Sequence, residues 1–496
     1  MTRSDWGWLL AAFAWLAATA WMRPLMLPDE GRYVGVAWEM LQRGDWLVPT
    51  LNGMPFFHKP PLFYWITEAA LAVAGPSVWA SRLAPLLGAG LAMGALYGLT
   101  LRWGSRELAR DALVALLAQP LFYLGGQFAN LDMLVAGCIT ATIALLADAA
   151  LSAEAGLPHR RALLGAYAMA GLGVLAKGLI GVVLPGLVIL AWLAARRRLR
   201  LLPRLLSLPG LALLAAIAVP WFVAVQQRYD GFLDYFFVVQ HFKRFAAGGF
   251  NNVRPAWFYA VLLLAFFLPW LPWVRQLLRR QPAGGDGREL RVLMALWAAL
   301  IVVFFSVPRS KLIGYVLPAV PALAWLAADG FRATGRWPRA WRAAALLGSL
   351  VSLGTVVALG VHPVHSNQQL ATALREARGS GEPVLMLRDY FYDVPFYARL
   401  SEPVLVVDNW ASPDVDRRDN WRKELADAGR FVPAVAAARL IQPQAVPAAL
   451  CAAPRTWVVA SAADASGQPL LAQATVVASQ GELRLWRFEP STACKP

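Results

Sequence analysis

The chain has 496 residues, 58% of them apolar and 15% charged, with a mean hydropathy of +0.49. An ordinary soluble protein carries about 25% charged residues, so that class is excluded. A formal net charge of +16 would suit nucleic acid, but 22 Trp and many long apolar runs assign the basic excess to a bilayer surface. Three cysteines with no Cys-x-x-Cys spacing exclude zinc fingers and redox dithiols.

In chain order, about eleven apolar runs approach or reach the length that crosses hydrocarbon as a helix. They cover 6–22, 82–101, 111–128, 133–151, 162–176, 178–195, 208–226, 257–274, 292–306, 312–328 and 343–361. The first run follows Met-Thr-Arg and lacks a small-residue cleavage site, so it is expected to stay as a span. Residues 23–81 interleave charges with Trp and Phe, which predicts amphipathic helices lying along the outer interface. Residues 227–256 make a long outer loop.

Beyond about residue 362 the composition becomes that of a soluble protein. Strand-like runs at 384–387, 404–407, 457–459 and 483–486 alternate with helical ones at 368–379 and 417–428. The expected organisation is a polytopic α-helical membrane domain over 1–361 and an outer α/β domain over 362–496. Cys451 and Cys494 both lie in the outer domain, where they either pair in an oxidising compartment or stay as free thiols; Cys138 falls mid-span as packing.

Arginine sets the orientation. Arg102 to Arg110, Arg160 and Arg161, Arg196 to Arg204, Arg275 to Arg291 and Arg332 to Arg342 occupy alternate loops, which makes those loops cytoplasmic. The N-terminus is then inside and the tail outside. Of six lysines, Lys59, Lys177, Lys243 and Lys311 fall at the outer ends of their spans, against that rule. A cation placed there calls for an anion. Together with Arg244 and Arg254 they suggest a phosphate-rich site at the outer face, although each alone also suits a lysine reaching up to lipid headgroups.

Candidate chemistry gathers on that same face. Asp29 and Glu30 follow Pro28 just beyond the first span; Asp29 suits either the cap of a helix starting at Glu30 or a rigid catalytic carboxylate. Asp132 sits at the outer end of the fourth span, where it suits a cap, an ion pair or a second acid in the same cavity. Lys59 could hold phosphate as a mobile point charge, while His58 beside it suits a structural role better than a metal site. Lys243, Arg244 and Arg254 stand among aromatics, as an interfacial anchor or a phosphate grip would. Lys311 and Tyr315, four apart, are expected to share a helix face. Carboxylates facing a group of cations are what glycosyl or phosphoryl transfer at a membrane surface requires.

At these residues the sequence resembles the bacterial GT-C glycosyltransferases of the aminoarabinose lipid A transferase type and, more distantly, the protein O-mannosyltransferases. The resemblance is carried by 27–33 (Pro-Asp-Glu-x-Arg-Tyr), 44–49 (Gly-Asp-Trp-x-Val-Pro), 57–60, 129–132, 176–178, 235–245 with Arg254-Pro255, and 304–315, in that order. It implies a GT-C fold of 11–13 spans with juxtamembrane helices and a periplasmic tail, in the bacterial inner membrane. It also implies an undecaprenyl phosphate-sugar donor, a lipid A-type glycolipid acceptor, the bilayer as partner, and no nucleic acid.

Asp29 matches the family's catalytic acid and Asp132 a second functional acid, with Glu30 adjacent; Lys59, Arg244 and Tyr315 match residues that grip the donor phosphate, supported by Lys311, Lys243 and Arg254. Arg32, Tyr33, His58 and Lys177 complete the expected cavity or acceptor wall. No cofactor is expected to be obligatory. Family members commonly carry Glu where this chain has His58, which leaves any divalent metal role open. A GT-C enzyme acting on a protein hydroxyl or surface glycan is the first rival reading, and a lipid or sugar transporter the second, although no inverted repeat supports the latter.

Overall fold

The structure is a computed structural model that describes residues 1–243, 252–279, 286–490 and 494. Among the described residues seven helices are long and apolar enough to span a membrane, from Leu83–Trp103 to Pro338–Val361. An eighth span results if Arg106–Leu117 and Pro120–Gly126 are taken together; they meet at 72° where Pro120 cannot donate to the helical ladder. The remaining expected runs form helices below that standard. Arg3–Ala17 and Ile180–Ala195 have 15 and 16 residues, and Arg160–Lys177 carries three charges. The chain is a multi-pass membrane protein.

Leu83–Trp103 and Leu131–Glu154 form the centre of the membrane part. A Cβ at Gly137 would lie 2.1 Å from the carbonyl oxygen of Gly88, so only glycine permits the backbones to touch here. The segment before them has the expected interfacial character. Its helix Asp29–Arg43 buries Val34 and Trp38 on one side and Val36 and Met40 on the other, and is followed by a hairpin of β1 (Thr50–Leu51) and β2 (Met54–Pro55) and the apolar helix Leu62–Ala74.

The tail is an α/β unit. β3 (Val384–Leu387), β4 (Leu405–Val407), β5 (Leu440–Ile441), β6 (Thr456–Ser461), β7 (Thr475–Gln480) and β8 (Leu483–Phe488) form one sheet in the order β5-β4-β3-β6-β8-β7. The first four pair in parallel, and β8 and β7 add antiparallel. Alternation along the strands separates two faces. Leu385, Leu387, Val407 and Val458 close an inner core of the tail, whereas Met386, Val406, Val459 and Trp457 join the core that continues into the membrane part. Cys451 and Cys494 are disulfide-bonded, with Cα atoms 5.6 Å apart.

Directed bonds reinforce that joint. Asn52 donates to the Val404 carbonyl at 3.0 Å and accepts from its N–H at 2.8 Å. Trp38 Nε1 donates to the Leu400 carbonyl at 2.8 Å, and the Leu25 N–H donates to the Tyr397 hydroxyl at 2.7 Å.

Candidate active site

Six chain segments converge on one small cavity, 29–33, 56–59, 130–132, Lys177, 312–315 and Glu424. Asp29 opens its helix rather than capping it: Pro28 occupies the cap position and offers no side-chain bond, which leaves the Asp29 carboxylate to pair with Arg32 one turn on. Asp132 is likewise not a cap. Asn130 takes that role, its Oδ1 accepting from the Asp132 N–H at 3.0 Å and its Nδ2 donating to Asp132 Oδ2 at 3.2 Å.

The Asp132 carboxylate forms an ion pair with Lys177, the last residue of Arg160–Lys177. That helix stops there because Gly178 turns the chain at φ +89°, a value that suits glycine. The 3₁₀ stretch Ile313–Ala319 brings the Tyr315 ring to 4.5 Å from Lys177 Nζ. The tail contributes Glu424.

The cavity measures about 60 Å³. Asp29, Arg32, Tyr33, His58, Lys59, Asp132, Lys177 and Tyr315 line it, all expected from the sequence, together with Phe56, Asn130, Leu131, Leu312 and Glu424. Its ionisable carboxylates (Asp29, Asp132, Glu424) and its lysines and arginine (Arg32, Lys59, Lys177) number three each, so the described wall is close to neutral. Burial works against charge on Arg32, but Glu424, Tyr33 and Asp29 around it hold it charged, above the ordinary arginine range. His58 stacks on Phe56, ring centroids 4.5 Å apart, and lies 6.0 Å from Tyr235. Among the described residues no group of three or more His, Cys, Asp or Glu side chains is placed to hold a metal.

Other expected site residues are elsewhere. Glu30 is not in the cavity wall. It is fully buried on the other side of its turn, where Arg23 donates to it at 2.5 Å, Arg82 Nε at 2.9 Å, and the N–H groups of Met26 and Ala129 at 2.9 and 2.8 Å. Burial opposes its charge, yet Arg23 and Arg82 hold its carboxyl down at about 2. Glu30 therefore braces the Asp29 turn against the Ala129 turn that leads to Asp132. Lys311 also turns away: its ammonium donates to the Arg254 carbonyl at 3.1 Å and to that of Pro308. It shares no helix face with Tyr315, because the helical segment begins only at Ile313.

Arg254 is exposed and lies over the Phe258 ring at 5.8 Å. The side chain of Lys243 and the whole of Arg244 lie outside the described residues. Two residues of the site had no sequence signal assigned to them. Glu424 belongs to a polar tail whose charges read as solvated surface, and Gly314 matters only through its closeness to Asp132.

The model of the dolichyl-phosphate-mannose-protein mannosyltransferase family matches residues 58–223. An undecaprenyl phosphate-α-4-amino-4-deoxy-L-arabinose arabinosyl transferase of Erwinia tasmaniensis is 31% identical over 371 residues, which is 71% of this chain and 66% of that protein. The protein of the same name from Aeromonas salmonicida is 32% identical over 357 residues, 69% of this chain and 64% of its own length. The matched region thus spans slightly under two thirds of each of these relatives.

The crystal structure of ArnT from Cupriavidus metallidurans bound to undecaprenyl phosphate has the same fold, with a TM-score of 0.81 over 100% of both chains at 24% identity. Sequence likeness and architecture agree: the chain is similar to the aminoarabinose transferases named above and has the fold of the GT-C glycosyltransferase in that crystal structure.

Proposed function

We propose that the protein transfers aminoarabinose, or a related amino sugar, from undecaprenyl phosphate to lipid A or a similar glycolipid at the periplasmic face of the inner membrane. The observation that carries this reading is the meeting of Asp29 and Asp132 with Lys59, Lys177 and Tyr315 in one cavity. The names of the relatives supply the donor class. Orientation rests on arginine. Leu131–Glu154 carries Asp132 in its first turn and leads to Arg160 and Arg161 beyond its far end, which supports a periplasmic cavity and tail with a cytoplasmic N-terminus.

In the proposed reaction the bond between the sugar's anomeric carbon and the phosphate oxygen breaks, and its electron pair leaves with undecaprenyl phosphate. Lys59, which lines the cavity, is assigned with Arg244 to offset the charge that grows on this leaving group. Tyr315 packs against Lys177 and so supports the Asp132 ion pair beside the reacting centre. An oxygen of the acceptor forms the new bond. A phosphate acceptor arrives as an anion, and Asp29 then orients it; a hydroxyl acceptor gives its proton to Asp29 as general base. All of these steps are assigned to side chains.

Mass spectra of lipid A from cells expressing equal amounts of wild type or Asp29→Asn test the reading. A sugar-sized addition present only with wild type supports lipid A as acceptor, and its mass gives the sugar class. Identical spectra, with the donor present in both, transfer the assignment to another acceptor such as a protein hydroxyl or surface glycan.

A further inference from the structure

Arg32 links two carboxylates that come from opposite parts of the chain. Its Nη2 donates to Asp29 and its Nη1 to Glu424, 392 residues away. The other oxygen of Glu424 accepts from the Tyr392 hydroxyl at 2.5 Å. The guanidinium also lies over two rings, 5.1 Å from the centroid of Tyr33 and 5.6 Å from that of Tyr392. The result is a line of groups, Asp29, Arg32, Glu424 and Tyr392, that becomes more enclosed towards the tail. The Asp29 side chain is 26% exposed, Arg32 16% and Glu424 6%. The open end is the cavity.

This ion pair is not required to dock the tail. The Asn52–Val404, Trp38–Leu400 and Leu25–Tyr397 bonds already do that, and an apolar core runs through the joint. Glu424 differs from those contacts in lining the cavity and in competing with Asp29 for a single cation. A guanidinium has five N–H donors in a fixed plane and can be divided between two carboxylates.

We propose that Glu424 is a positioning residue for the transfer: by sharing Arg32 it keeps the Asp29 carboxylate in place and free to act on the acceptor. The proposal rests on the role given to Asp29 above. Asp29 is faced by Arg32 and Tyr33 from its own helix, Lys59 from the following loop, Asp132 and Lys177 from the membrane helices, and Glu424 from the tail. Without the Glu424 charge, Arg32 turns wholly to Asp29. The Asp29 anion is then held more tightly and becomes a weaker base or a less mobile orienting group.

Purified wild type, Glu424→Gln, Glu424→Asp and Asp29→Asn are compared with an undecaprenyl phosphate-sugar donor and lipid A. In Glu424→Gln, kcat is expected to fall about tenfold while the donor KM changes less than about twofold. The acid limb of kcat/KM moves to lower pH by about one unit, since a neighbouring anion has been lost. Glu424→Asp recovers most of kcat.

A folded Glu424→Gln protein with wild-type kcat and acid limb overturns the proposal, as does a kcat loss that tracks thermal stability and is equal in Glu424→Asp. If Glu424→Gln does not fold, Tyr392→Phe, which removes one hydrogen bond from Glu424, is read instead: a threefold or so loss in kcat supports the proposal and wild-type kinetics sink it. Normal transfer by Asp29→Asn refutes the underlying reading of Asp29. An inactive Asp29→Asn beside a normal Glu424→Gln refutes only the role of Glu424.

Discussion

Gly314 lies directly over the Asp132 carboxylate: a Cβ built on it would sit 2.1 Å from Asp132 Oδ2. No real Cβ approaches so closely, and the carboxylate is already held by Asn130 and Lys177. Gly314→Ala must therefore push Asp132 away from Lys177 or lift the Ile313–Ala319 segment and Tyr315 with it. The expected outcome is a loss of kcat of about tenfold or more, since an ångström of misplacement has that order of effect, in a protein that still folds. Steady-state kinetics with a melting curve check it; unchanged kcat would mean that Asp132 placement is unimportant.

Near-neutrality of the described cavity wall bears on the donor. Arg32 and Lys177 pair with Asp29, Glu424 and Asp132, and the proposed grip on the donor phosphate is Lys59 with Arg244. Lys59→Ala and Arg244→Ala are each expected to weaken donor binding about tenfold, the effect of removing one charge-assisted contact. Donor saturation curves measure this. Curves that match wild type in both variants would assign the two cations to lipid headgroups instead.

Glu30 is surrounded by Arg23, Arg82 and two backbone N–H groups with no water-facing side. Glu30→Gln would leave two buried guanidinium groups without their anion, a loss of about 3–5 kcal/mol. A marked drop in melting temperature is expected, whereas a purely catalytic Glu30 would lose activity at unchanged stability.

Asp393, in the tail, is fully buried, and burial pushes its carboxyl up to about 6 although Asn367 and Ser366 donate to it. A carboxyl raised in the folded state binds its proton there at pH values where the unfolded chain has lost it. Stability therefore falls as pH rises from about 4 to about 6 and is level above, a change of about 3 kcal/mol for this group. Hydrogen exchange across Asn367 and Val394 at pH 4.5 and 7 is expected to show faster opening at the higher pH, and Asp393→Asn to flatten the difference. The same pH dependence in both proteins would assign it to other groups.

The tail strands were legible because short apolar runs between polar stretches are written locally; 384–387 and 483–486 coincide with β3, all of it buried, and the first part of β8. Asp29, Lys59, Asp132 and Lys177 were legible for a different reason, that charge at a membrane boundary is costly and so conspicuous. Glu30 was misplaced because neighbours on a helix point about 100° apart, so two adjacent carboxylates need not serve one site. Lys311 and Tyr315 were paired on α-helical spacing that the chain does not adopt before Ile313. Glu424 and Gly314 could not be found this way. Each owes its role to a contact across the fold, and in the linear sequence one is an ordinary polar-helix acid and the other an ordinary glycine.

The 72° bend at Pro120 has a further consequence. The late helix Pro338–Val361 covers it with Gly348, whose Cβ, if it had one, would lie 1.9 Å from the carbonyl oxygen of Ala118. A kink in the first third of the chain is thus sealed by the last of the described spans. That contact closes only once the late span has been made, so packing around the bend is completed late in synthesis.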